Sequence, residues 1–160
     1  MKKAKYFYFL ALLISVVLFS NCATPVKVEG TAMLPNFKDG DRLLMNNSVE
    51  ELQRGDVIYF KYPKDLTKAY IKRIIGLPNE TVEIRNGEIL VNGQILAESY
   101  VDQIYNQSKN NFSIETIPDQ NYFVLGDNRD NSSDSRSWGT VHKDLILGKY
   151  YSTYSSSEKK

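Results

Sequence analysis

The sequence contains one cysteine and one histidine, and each scarcity closes a class of chemistry. A single cysteine excludes an intrachain disulfide. With one His beside it, a His/Cys metal site is also excluded, although carboxylate sites are not. No motif calls for a cofactor, so none is expected. Charge of one sign is lacking too: 20 Lys and Arg stand against 19 Asp and Glu, for a formal net charge of +1. There is no basic stripe, no zinc-ligand spacing and no cationic run interleaved with aromatics, which argues against nucleic acid as a partner. Long apolar runs are absent apart from one at the N-terminus, and no amphipathic helical period follows it. At 160 residues and 42% hydrophobic content, the chain has room for one ordinary domain plus appendages.

That apolar run extends from Tyr6 to Phe19, behind Lys2, Lys3 and Lys5. A basic head before about 14 apolar residues fits a secretory signal better than a spanning helix, which needs about 20. Ser20-Asn21-Cys22 follows, with Leu18 four residues before the cysteine. This resembles the lipobox of bacterial lipoproteins, in which the signal is cut before the cysteine and the cysteine is acylated. Asn21 and Phe19 depart from the small residues usual there. Two readings stay open for residues 1–22: a lipid anchor at Cys22, or an uncleaved anchor helix. Both place the remaining chain on the extracytoplasmic side of a membrane, with membrane lipid as a partner.

Residues 25–154 read as one all-β domain of short strands separated by turns. Pro25–Glu29, Arg42–Met45, Asp56–Tyr62, Thr81–Arg85, Glu88–Val91, Gln94–Leu96, Gln120–Leu125 and Leu145–Tyr154 are the strands, and Val49–Gln53 is a candidate helical turn. Asn86-Gly87 and Asn92-Gly93 suit type I′ hairpin turns. Residues 97–119 are polar and weakly patterned, an excursion that reads as an extra ribbon or a loop. Residues 155–160 read as a disordered tail. Many short strands with Gly-rich turns point to a small, strongly bent barrel or sandwich.

One further run, Ala69–Pro78, is β-branched, apolar and stopped by Gly76 and Pro78, yet it carries Lys72 and Arg73 at its centre. Alternation in a strand puts Lys72 on the face of Tyr70 and Ile74, and Arg73 on that of Ile71 and Ile75. Either both side chains reach out to water, or Lys72 is desolvated. Desolvation favours the neutral amine and makes a lysine a base near neutral pH.

Four stretches in order decide between these. Gly30-Thr31-Ala32-Met33-Leu34-Pro35 resembles the G-x-S-M-x-P box of bacterial type I signal peptidases. Arg54-Gly55-Asp56-Val57-Ile58-Tyr59-Phe60 is similar to their R-G-D-I-V-x-F box, and Tyr70 to Pro78 resembles their Y-x-K-R-x-x-G-x-P-G-D box. Gly126-Asp127-Asn128-Arg129-Asp130-Asn131-Ser132-Ser133-Asp134-Ser135-Arg136-Ser137-Trp138-Gly139 matches G-D-N-R-D-N-S-x-D-S-R-x-W-G at every fixed position. The resemblance implies a signal peptidase I-like bent β-barrel or β-ribbon core with a reduced accessory region. It implies signal peptides of exported preproteins, or other extended peptides, as ligands.

The resemblance also implies roles. The family uses a serine nucleophile and a neutral lysine as general base, with backbone N–H groups holding the oxyanion. Lys72 falls on the base position. Ser132 matches the serine that hydrogen-bonds this lysine, Asp134 and Arg136 match a supporting ion pair, and Arg73 belongs to the same supporting shell. Gly30, Thr31, Met33 and Pro35 match the segment that lines the groove and the oxyanion site. The nucleophile position is Ala32, whose methyl cannot attack a carbonyl. Losing the serine of a comparable protease costs about a million-fold in turnover. Thr31 in an extended segment would point away from the lysine, and Ser132 would have to reach the oxyanion donors. Asn36, and Asn79-Glu80 after Leu77-Pro78, are further departures from the pattern and fit divergence better than a single knock-out. Two expectations follow: a signal peptidase I-type endopeptidase acting at the membrane, or an inactive lipoprotein pseudopeptidase that binds extended segments along a sheet edge.

Overall fold

The computed structural model describes residues 23–155. Expectations for the N-terminal segment, Cys22 included, and for residues 156–160 lie outside the described residues. Eleven strands are described: β1 (Thr24–Lys27), β2 (Arg42–Asn46), β3 (Val57–Tyr62), β4 (Asp65–Gly76), β5 (Val82–Arg85), β6 (Glu88–Val91), β7 (Gln94–Ile95), β8 (Phe112–Ile114), β9 (Asn121–Leu125), β10 (Val141–His142) and β11 (Ile146–Ser155). One helical turn, α1 (Ser135–Trp138), and two short 3-10 turns complete the list. No helix among the described residues is long and apolar enough to cross a membrane.

The strands form two antiparallel sheets, one of seven strands in the order β1-β2-β11-β3-β4-β9-β10 and one of four in the order β7-β6-β5-β8. The larger sheet ends at β1 and β10, so the bent barrel expected from the sequence is not closed. Both Asn-Gly pairs turn hairpins, β5 to β6 and β6 to β7, with φ of 50° and 84° at Asn86 and Gly87, and 51° and 76° at Asn92 and Gly93. Both positions of such a turn need positive φ, which Asn tolerates and Gly adopts freely. The polar excursion at 97–119 contributes β8, which pairs with β5. Val49–Gln53 forms no helical turn. Ser155 is not free: it ends β11, paired with Arg42.

Period-2 alternation along β4 distributes its side chains among three apolar clusters. Ile74 joins Ile58, Phe60, Val124 and Trp138. Ile75 joins Val82, Ile117, Phe123 and Leu125, filling the space between the sheets. Ile71 packs on the third cluster, where Val28, Met33 and Phe37 lie over Leu43 and Met45. Each fully buried Ile or Phe contributes about 1.5–3 kcal/mol. β4 is thus pinned on both faces, and the cations at its centre are held in place by their neighbours.

Candidate functional site

Lys72 lies opposite Ile58 of β3 and is 5% exposed. It does not reach out to bulk water. Its Nζ donates to the Ile71 carbonyl at 3.0 Å and sits 5.3 Å from the Tyr70 ring centroid. No carboxylate forms an ion pair with it among the described residues. Burial lowers its pKa to about 8, against an opposing upward pull from the charges of Asp134 and Asp127. At neutral pH roughly one amine in ten is therefore uncharged.

Arg73 turns to the other face. Its Nε and Nη2 hold the two oxygens of Asp127 at 2.8 and 2.6 Å, and Nη1 donates to the Gly55 carbonyl at 2.8 Å. Its guanidinium also covers the Tyr100 ring at 4.1 Å. Asp127, 1% exposed, accepts a further hydrogen bond from Asn36 Nδ2 at 2.8 Å, and the same amide donates to the Tyr100 carbonyl at 2.7 Å.

The segment bearing Ala32 is a turn and not an extended segment: Leu34 N–H donates to the Thr31 carbonyl and Phe37 N–H to that of Met33. The peptide bond between Leu34 and Pro35 is cis. The turn docks on the loop after β9. Asn128 donates from its backbone N–H to the Ala32 carbonyl and from Nδ2 to the Thr31 carbonyl, both at 3.1 Å. Asn131 Nδ2 donates to the Thr31 hydroxyl at 3.0 Å. Gly126 makes this docking possible. A Cβ there would lie 2.2 Å from Ser132 Oγ and 2.5 Å from the Ala32 carbonyl oxygen.

The loop itself is fixed by Asp134, 0% exposed, which accepts from Gly126 N–H at 3.1 Å and from Arg136 Nε and Nη2 at 2.8 and 2.7 Å. Arg129 Nε donates to the Gly126 carbonyl, and its Nη1 and Nη2 clasp Glu98. Ser132 Oγ is buried and has no hydrogen-bond partner, so the bond to Lys72 implied by the resemblance is not formed.

These parts surround a cleft of about 930 Å³. One wall is Thr24–Gly30 with Ala32 and Met33; the other is Thr67–Lys72, with Tyr59 between. Lys72, Ala32, Gly30 and Met33 are thus brought together, whereas Thr31 and Pro35 do not line the cleft. Ser132, Asp134, Arg136 and Arg73 do not line it either. Sequence reasoning missed the support given by Asn36, Tyr100 and Glu98. The interleaved acidic and basic residues of the last box signalled Asp127 and Arg129, but nothing marked their distant partners.

Fold and site together define an all-β protein with a strand-walled cleft into which a buried lysine faces. Comparison with known proteins gives the family. A family model described as signal peptidase, peptidase S26, matches residues 1–155, and the chain belongs to that family. Signal peptidase I of Bacillus amyloliquefaciens is 40% identical over 151 residues, covering 87% of this chain and 75% of that protein. Signal peptidase I V of Bacillus subtilis is 36% identical over 162 residues, covering 90% and 95%. The crystal structure of a signal peptidase I from Enterococcus faecalis is similar at a TM-score of 0.57 and 36% identity, covering 64% of this chain and 98% of that one.

Proposed function

We propose that the cleft takes an extended peptide, of the kind presented by signal peptides of exported preproteins, as an added strand between β1 and β4, and that the chain does not cut it with a Ser/Lys dyad. The carrying observation is that a buried lysine and the methyl of Ala32 line the same cleft. Support for strand addition comes from topology. Among the described residues β1 ends the larger sheet and pairs only with β2, and β4 pairs with β9 only from Arg73 onward, so two strand edges flank the cleft. Unpaired edge amides and carbonyls are what an extended peptide needs.

In this reading Lys72 occupies the general-base position and Ala32 the nucleophile position. Gly30 and Met33 shape the groove, while Asp134, Arg136 and Arg73 hold the loop and strand around them, and Ser132 packs against Gly126 in that loop. A neutral amine can accept a proton, but a methyl has none to give it. Neither neighbour replaces the serine: the Thr31 hydroxyl is held by Asn131 outside the cleft, and Ser132 Oγ is buried. The protein is then a membrane-associated pseudopeptidase on the extracytoplasmic side, held through an acylated Cys22 or an anchor helix. Acyl labelling that survives Cys22→Ser would exclude the lipid anchor.

The test is incubation of the purified protein with a preprotein bearing an Ala-x-Ala site. No cleavage is expected from the native chain. Ala32→Ser is expected to create cleavage, and Lys72→Ala added to that variant to remove it. Cleavage by the native chain that disappears in Lys72→Ala would overturn the proposal.

A further inference from the structure

We propose that the cleft recognises the free C-terminal carboxylate of an extended peptide, with Lys72 as its cationic partner, so that the preferred ligand ends at Lys72 and does not run past it. This rests on the peptide-binding reading of the cleft and names the class of peptide.

Three observations converge. The first is topological. The edge of β4 that faces the cleft is open only up to Lys72. At Arg73 the strand pairs with Leu125 of β9, and the pairing continues through Ile74 and Gly76. A peptide that adds to this edge meets β9 at Lys72 and must stop or turn away. A chain terminus stops there without cost.

The second is a mismatch of donors and acceptors. A lysine ammonium carries three N–H donors and no acceptor. One donor of Lys72 goes to the Ile71 carbonyl, and among the described residues no ion pair uses the other two. The nearby acids are committed elsewhere: Asp127 to Arg73 and Asn36, Asp134 to Arg136 and the Gly126 amide. What complements unused donors around a buried cation is an anionic, acceptor-only group, and a carboxylate is the smallest such group that a peptide can offer.

The third is Ala32. Its methyl lines the same cleft as Lys72 and offers no hydroxyl to react with. The departure that removes hydrolysis thus favours a ligand that is already a free acid.

The test compares three synthetic peptides of one sequence that ends in Ala-x-Ala: the free acid, the C-terminal amide, and a form extended by five residues beyond the last Ala. Binding to the purified chain is read by calorimetry at pH 7. The acid is expected to bind at least about tenfold more tightly than the amide or the extended form, the margin of a charge-assisted hydrogen bond. In Lys72→Met the ratio of acid to amide is expected to fall to about one, and in Lys72→Arg to persist. Equal binding of all three peptides would overturn the carboxylate reading and leave peptide binding intact. Binding by none would overturn peptide binding itself.

Discussion

Glu98 and Arg129 meet through two parallel hydrogen bonds inside the protein, with Arg129 3% and Glu98 10% exposed at the side chain. The pair joins the excursion after β7 to the loop that carries Ser132, and Arg129 Nε also holds the Gly126 carbonyl. Removing one member leaves the other charge buried and unmatched, which costs about 3–5 kcal/mol. Glu98→Ala is therefore expected to lose about 3 kcal/mol of unfolding free energy in urea. Glu98→Gln, which keeps an acceptor, should lose less. A loss under 1 kcal/mol for Glu98→Ala would show that the excursion does not brace the loop.

Asn36 bridges the same two regions from the turn at Ala32. Its amide donates both hydrogens, one to the Tyr100 carbonyl and one to Asp127. Asn36→Ala leaves the carbonyl without its donor, while Asp127 keeps its two bonds to Arg73. The expected loss is about 1–2 kcal/mol, read from the urea midpoint at unchanged slope. No shift in midpoint would mean that water replaces the amide at no cost.

Gly126→Ala probes the contact between the loop and the Ala32 turn. The added Cβ would meet a backbone oxygen at 2.5 Å, which cannot swing aside as a side-chain tip can. Overpacking of this kind costs about 1–3 kcal/mol. The upper half of that range is expected here, because Ser132 Cβ is also within 2.5 Å. Ser132→Ala should not rescue the variant, since the Ala32 carbonyl and the Ser132 Cβ remain. Full rescue would place the conflict at the hydroxyl alone.

Much of this architecture was legible because its signals are local. The β-branched run of β4, the two Asn-Gly turns and the contiguous loop from Gly126 to Gly139 each declare themselves within a few residues. Pairings that need folding to exist were not legible. Asn36 and Asp127 are 91 residues apart, and Glu98 lies 31 residues from Arg129 in a polar stretch with no periodicity. The turn at Thr31–Phe37 left no local sign against an extended segment, because Asn128 and Asn131, about a hundred residues on, supply its docking bonds. Val49–Gln53 has the composition of a helical turn, but its apolar side chains Val49 and Leu52 pack instead on the Trp138 cluster. Open sheet ends leave no local trace either, so barrel and open sheet read alike from turn spacing.

Burial of Lys72 carries a dependence on pH whose sign can be worked out. Its pKa falls from 10.5 in the unfolded chain to about 8 in the fold, with desolvation as the cause. Between these values the unfolded chain holds a proton that the folded chain has released, so stability rises with pH across that window. Below pH 8 both states are protonated, and the fold bears the whole cost of a buried cation, about 3 kcal/mol for a shift of this size. Lys72→Met removes the titration and keeps most of the side-chain volume. The variant is thus expected to be more stable than the native chain at pH 7 by up to about 3 kcal/mol, with the gap shrinking through pH 8–10.5. Urea denaturation of both proteins at a series of pH values reads the gap directly, and groups that titrate alike in both cancel from the difference. A gap independent of pH would mean that the folded protein keeps Lys72 charged as easily as water does. A bound peptide acid should act in the opposite direction, holding the ammonium and moving the start of the window above pH 8.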